Sequence, residues 1–226
     1  MEWIKEIFKT EKPIIGVIHL QPLPGAPGNT LKIDEIVRMA VEDAEKLERG
    51  GADGIIVENY GDRPYYPRRV PPVTVAAMTL IVKSIVDRVE IPVGVNVLRN
   101  DWKAALSIAH TTGAKYIRVN ILQGTYVTDQ GIIQGEAHKL QRLKRWLNAD
   151  VKILADIDVK HAYRLSRRPV EEEARELAER AMADAIIVTG PETGKPPKPE
   201  KVKTIKSAAR WKPVMVGSGI DPQNID

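Results

Sequence analysis

The chain has 226 residues, 43% of them hydrophobic and 28% charged, with a formal net charge of +4. Such a composition fits a globular domain, and acids interspersed among the bases exclude the clustered Lys/Arg footprint of a nucleic-acid binder. There is no cysteine, which excludes disulfides, thiolate nucleophiles and zinc–sulfur sites and predicts a cytoplasmic address.

The N-terminal stretch MEWIKEIFKTEKP is charged throughout and has no apolar signal core. It predicts a short helix over Glu2–Lys9. A first strand follows at Ile14–Leu20. An amphipathic helix then carries Ile33, Ile36, Val37, Ala40, Ala44 and Leu47 on one stripe, with Asp34 in its first turn and Gly50-Gly51 closing it. The alternation continues with a strand at Gly54–Asn59 and a helix at Val73–Val89. The apolar run Val73–Val82 inside that helix is far short of the ~20 residues that span a bilayer. Next come a strand at Pro92–Val97, a helix at Asp101–Thr112, a strand at Tyr116–Ile121 and a helix at Gly135–Leu147. Strands at Val151–Ile157, Ala185–Gly190 and Pro213–Gly219 alternate with helices at Val170–Met182 and Pro199–Ala209. Asp221-Pro222 reads as the cap and first residue of one more helix.

Each strand is a near-continuous apolar run, as parallel strands covered on both faces require. Three helix-to-strand joints, GGADGIIVE, TGAKYIRVN and AMADAIIVT, share one plan: a small residue, a buried Ala, a polar turn and then the strand. These features predict an α/β protein, a (β/α)8 TIM-type barrel in preference to an open doubly wound sheet, in one domain over residues 1–226, with the helix at 2–9 covering its bottom. Seven strands are counted, so the barrel looks truncated after strand seven: either the eighth βα unit lies beyond residue 226 or the native barrel is open. An open strand edge there predicts a homo-oligomer. Abundant Lys, Arg, Glu and Pro without Cys also suit a thermophile.

Chemistry in such barrels sits at the C-terminal strand ends. The residues there form a polar ring. His19, Gln21, Asn59, Asn96, Arg118 and Asn120 are candidate substrate contacts. Glu58, Asp156, Lys160 and His161 are candidate catalytic groups. Carboxylates such as Glu58 and Asp156 can move a proton or, with His161, hold a divalent metal. Lys160 can contact phosphate or serve as a Schiff-base amine. Gly217, Ser218 and Gly219, joined by Gly190, are the candidate phosphate-binding turn. The segments GDRPYYPRRVPP and QGTYVTDQGII are long for this fold and read as loops, either lids or oligomer contacts.

IGVIHLQPLPGAPG, GADGIIVEN, RVN, ADIDVKHA and VGSG together resemble the BtpA family from about Glu11 onward. The family's motifs cover His19, Gln21, Glu58, Asn59, Asn96, Asn120, Asp156, Lys160, His161, Gly217 and Gly219. The resemblance implies a fold similar to ribulose-phosphate-type barrels, with members extending past the end of this chain. The family is named for a role in photosystem I biogenesis, yet its members also occur without photosynthesis, so the resemblance carries no catalytic assignment. Three functions stay open: an enzyme acting on a small phosphorylated metabolite, a non-catalytic assembly factor, and a ligand-sensing binding protein.

Overall fold

All seven apolar runs become parallel strands in the computed structural model, which describes residues 2–166, 168–190, 194–221 and 223–225. The chain resolves into two compact units, one of residues 1–118 with 143–151 and one of residues 119–142 with 152–226.

The first unit opens with helix α1 (Glu2–Phe8) and strand β1 (Ile15–His19). Helix α2 (Ile33–Arg49), strand β2 (Gly54–Glu58), helix α3 (Pro72–Val86), strand β3 (Val93–Asn96), helix α4 (Trp102–Thr112) and strand β4 (Tyr116–Val119) follow. β1, β2, β3 and β4 pair in that order, all parallel. β2 and β3 are buried along their whole length, because helices cover the sheet. The amphipathic stripe of α2 points inward through Ile36, Ala40 and Ala44. Its Leu47 fills the space over Gly16, where a Cβ would come within 2.8 Å of it. α3 is apolar nearly all round and buries Ala77, Met78, Ile81, Val82 and Ile85. α4 is capped at one end by Asp101, whose carboxylate accepts from the Ala104 N–H, and at the other by left-handed Gly113.

α1 lies against the starts of β2 and β4. The Phe8 ring packs 5.3 Å from the ring of Tyr116 and over Gly54. Tyr116 is fully buried; its hydroxyl donates to the Ile55 carbonyl at 2.7 Å, and burial pushes its pKa up. Its ring lies on Gly94, where a Cβ would come within 2.1 Å of it.

The second unit holds strand β5 (Thr125–Thr128), strand β6 (Gly131–Gln134), most of helix α5 (Ala137–Trp146), strand β7 (Lys152–Ile157) and strand β8 (Ala162–Arg164). Helix α6 (Val170–Glu179), strand β9 (Ala185–Thr189), helix α7 (Pro199–Ala208) and strand β10 (Val214–Gly217) complete it. β7, β9 and β10 form a parallel ladder in chain order. β6, β5 and β8 form a separate antiparallel sheet. Here the structure corrects the sequence reading: QGTYVTDQGII is a β-hairpin and not a loop. Its inner face, Tyr126 and Ile133, packs with Ile121, Val159 and Ala162.

The shared joints have a physical cause. The Asp53 N–H donates to the Ile14 carbonyl while its carboxylate accepts from the Ile14 N–H at 2.7 Å. Asp184 makes the same two-point clamp on Ile153. Each aspartate ties the start of its own strand to the start of the neighbouring one, so the register is set before the strand begins.

The flat fit of Tyr116 on Gly94 gives the first prediction. Gly94→Ala should destabilise the fold by about 3 kcal/mol, because a methyl group there overpacks a closed core. Urea unfolding followed by circular dichroism measures it.

Candidate functional site

Strand register brings the first three candidates side by side. His19 of β1 lies opposite Glu58 of β2, and Glu58 lies opposite Asn96 of β3. His19 Nε2 is 3.3 Å from Glu58 Oε2, and Asn96 Nδ2 donates to Glu58 Oε1. Glu58 and Asn96 are buried, whereas the His19 side chain is half exposed. A buried carboxylate thus reaches solvent through an imidazole. The Asn96 amide nitrogen must face the carboxylate, since two acceptors repel. Its Oδ1 is therefore turned away, buried, and without a hydrogen-bond partner among the described residues.

Tyr60 and Arg63, both from the loop after β2, complete this cluster. The Tyr60 ring stacks on His19 with centroids 4.3 Å apart and an interplanar angle of 22°. The Arg63 guanidinium lies over the same Tyr60 ring, 4.7 Å from its centroid. The Tyr65 hydroxyl donates to the Tyr60 carbonyl, and burial pushes the Tyr65 phenol up to about 12.

Three buried side chains hold the loops beyond these strands. Asn59 accepts from the Leu98 N–H at 2.7 Å and donates to Asp62 Oδ2 and to the Leu98 carbonyl. Asp62 Oδ1 accepts from the Leu23 N–H at 2.7 Å. Asp101 accepts from the Val70 N–H and from Arg69, whose guanidinium also lies over the Trp102 ring. Gly61 allows a close approach: its N–H donates to the Leu20 carbonyl, and a Cβ there would come within 2.5 Å of the Pro22 nitrogen. The segment GDRPYYPRRVPP is therefore a pinned wall and not a free lid. Asn59, expected to touch substrate, has both amide atoms engaged by the protein. Gln21 is exposed at the loop start.

In the second unit, Asn120 Nδ2 donates to Asp156 Oδ2 at 3.1 Å, and both residues are buried. Asn120 Oδ1 and Thr189 Oγ1 are buried without a hydrogen-bond partner among the described residues. Asp158 does not continue the alternation from Asp156. It lies past the end of β7 with φ +57° and forms ion pairs with Lys201 and Arg164. Lys160 and His161 sit in the turn from β7 into β8, with His161 exposed and at φ +54°. Arg118 lies on β4, partly buried. Among the described residues no group of three or more His, Asp or Glu is placed to hold a metal ion.

The glycine turn holds part of its own chain. A Cβ on Gly190 would come within 1.9 Å of the Lys195 carbonyl oxygen, and one on Gly219 within 2.2 Å of the Pro196 nitrogen. Ser218 Oγ accepts from the Gly194 N–H at 2.9 Å. Gly217 closes β10 against Ile187 and Thr189. The predicted helix start at Asp221-Pro222 falls partly outside the described residues; Asp221 and Asn224 are joined by reciprocal turn bonds.

A small crevice in this unit is lined by Gln123, Tyr126, Arg164, Arg168, Glu173 and Glu176. Glu173 pairs with Arg164 at 2.7 Å, yet burial holds its carboxyl above the ordinary value.

The BtpA family profile matches residues 10–226. The chain belongs to the BtpA family. Over 220 residues it is 47% identical to the photosystem I biogenesis protein BtpA of Synechocystis sp., covering 97% of this chain and 77% of that one. It is 42% identical over 221 residues to an uncharacterized protein of Pyrococcus furiosus, covering 98% of this chain and 83% of that one. In fold, this BtpA-family chain is similar to a crystal structure of 2,3-dimethylmalate lyase, a PEP mutase/isocitrate lyase superfamily member. The TM-score is 0.56 at 11% identity, over 95% of this chain and 70% of that one. Among the described residues no helix is long and apolar enough to cross a membrane.

Asp62→Ala should destabilise the fold by about 2 kcal/mol, because it strips the acceptor from the buried Leu23 N–H and the Asn59 amide. Asp62→Asn should not restore it, since an amide NH2 would face the NH2 of Asn59. Burial, the largest influence, holds the Asp62 carboxyl above its ordinary value despite those donors. Its charge therefore opposes folding at neutral pH, and that cost is relieved as pH falls through the raised pKa towards the unfolded value. Denaturant unfolding of wild type and both variants as a function of pH checks the loss and the sign.

Proposed function

We propose that this BtpA-family chain is an enzyme that moves a proton on a small phosphorylated metabolite, with Glu58 as the base and His19 as its partner acid. One observation carries the reading: a buried carboxylate, oriented by Asn96, meets a half-exposed imidazole at the C-terminal strand ends. A buried carboxylate costs free energy unless it is paired or used. Asn96 donates to the charged form, and His19 links it to incoming substrate, the arrangement that general acid–base catalysis needs. Isomerisation, aldol cleavage and glycosidic C–N cleavage all begin or end with such a transfer. The finer fold reading, a (β/α)8-type barrel, is also a proposal. It is supported by the parallel βα order within each unit and by the fold likeness.

The test is a screen of phosphorylated metabolites by thermal shift and turnover. A compound that raises the melting temperature of wild type should be turned over. Glu58→Gln should lower kcat by about 10²–10⁴-fold while keeping the fold, because the isosteric amide keeps both contacts. If no phosphorylated compound binds, or Glu58→Gln turns it over at the wild-type rate, the reading fails.

A second reading, a docking surface for a protein complex, is favoured by one feature. Ile132, Val127 and Tyr163 are cross-strand partners on the outer face of the β6–β5–β8 sheet, and all three are exposed. Under this reading Val127→Lys abolishes capture of a protein partner without lowering the melting temperature. Unchanged capture counts against it.

A further inference from the structure

We propose that Arg63 and His19, held on the Tyr60 ring, form an oxyanion-binding subsite beside Glu58, and that the substrate's anionic group docks there. This rests on the reading of Glu58 and His19 as the proton-moving pair and names the substrate end that pair faces.

The argument starts from charge. The loop after β2 carries Arg63, Arg68 and Arg69 but one acid, Asp62. Asp62 is buried and turned to the Leu23 N–H and the Asn59 amide. Arg69 is engaged by Asp101 and the Trp102 ring. Arg63 has no carboxylate partner among the described residues; its guanidinium lies over the Tyr60 face and within electrostatic reach of the Tyr65 phenol. Arg63 is exposed, so N–H groups of a guanidinium over the ring remain accessible to a ligand. The N–H edge of such a group matches the two oxygens of a phosphate or carboxylate.

Position adds the second argument. One aromatic ring carries both Arg63 and His19. An anion on the Arg63 edge therefore lies within one small molecule's length of the imidazole that stands 3.3 Å from Glu58. Tyr60 is itself fixed, through Tyr65 at its carbonyl and through a loop pinned by Asn59 and Asp62. The close approach of Lys195 and Pro196 requires glycine at 190 and 219 whether or not an anion binds the turn, so the glycines do not by themselves mark an anion site.

The experiment uses the full chain, uniformly 15N-labelled, and follows by NMR the His19 ring signals, assigned through His19→Gln, together with the Gly217 and Gly219 amides. Inorganic phosphate is the probe, and acetate is the second arm. Phosphate should shift the His19 signals saturably. Arg63→Ala should raise the half-saturating concentration at least about tenfold, the loss of a charge-assisted pair. Arg63→Lys should fall between, because an ammonium keeps the charge without the fork. Melting curves confirm that both variants are folded, and Arg38→Ala, on the outer face of α2, should leave the titration unchanged. A response to phosphate alone supports the subsite and assigns it to a phosphate group. An equal response to acetate supports it and assigns it to oxyanions generally. The inference is overturned if His19 signals stay still while the amides of Gly217 and Gly219 move, or if Arg63→Ala titrates like wild type. Either result leaves the enzyme reading to its own test with Glu58→Gln.

Discussion

The first unit depends on a buried set of hydrogen bonds centred on Asn59. This one side chain reads the backbone after β3 through Leu98 and holds Asp62, which reads the backbone after β1 through Leu23. Three loops that are far apart in sequence become one wall. A buried network of this kind is stabilising only when every member is satisfied, and here each carboxylate and amide atom of Asn59 and Asp62 has a partner. The consequence for chemistry is positional. Tyr60 lies inside the stapled segment, so the ring that holds His19 and Arg63 is fixed by the same bonds that close the fold.

Both units contain the same local device: an asparagine at or just past the end of one parallel strand gives its amide N–H to a carboxylate near the end of a neighbouring one. Asn96 does this to Glu58 and Asn120 to Asp156. The chemistry of the pair decides which way the amide faces, and in both cases the carbonyl oxygen is left buried without a partner among the described residues. Leaving a buried acceptor unpaired costs about 1–3 kcal/mol. Such sites are where a structure trades stability for the capacity to bind a donor, a hydroxyl or N–H group, when one arrives.

Much of this was legible in the chain itself. Hydrophobic periodicity located the parallel strands and the helices between them to within a few residues, because runs buried on both faces leave no ambiguity of period. The repeated joints were visible as words, although not the reason for them; the aspartate clamp on the neighbouring strand needs two segments 39 residues apart for Asp53 and Ile14. His19, Glu58 and Asn96 can be placed at strand ends from the sequence, because strand ends are predictable. That they are register neighbours is not, since register is fixed by pairing and not by local sequence. The hairpin at 125–134 was missed although Thr125, Tyr126, Val127 and Thr128 are strong strand formers. The polar Asp129-Gln130 turn and its position between two βα units made it look like a connection. Tyr60 and Asp62 were missed for a different reason: their roles exist only through contacts with distant loops.

The glycines of GSG show how one sequence signal can have two physical causes. A glycine is required wherever backbone must come close, whether the approaching group is a phosphate or another stretch of chain. At Gly190 and Gly219 the approaching group is the Lys195–Pro196 backbone, and any side chain at either position would collide with it. Left-handed φ at Ser218 and Gly219 turns the chain so that Ser218 Oγ can receive the Gly194 N–H. Packing therefore accounts for these residues without a ligand. An arginine is different: it is not required by close packing, and Arg63 lies over an aromatic face with no carboxylate partner among the described residues. The anion subsite is therefore proposed on the arginine, whose charge packing does not explain, and not on the glycines, whose presence it does.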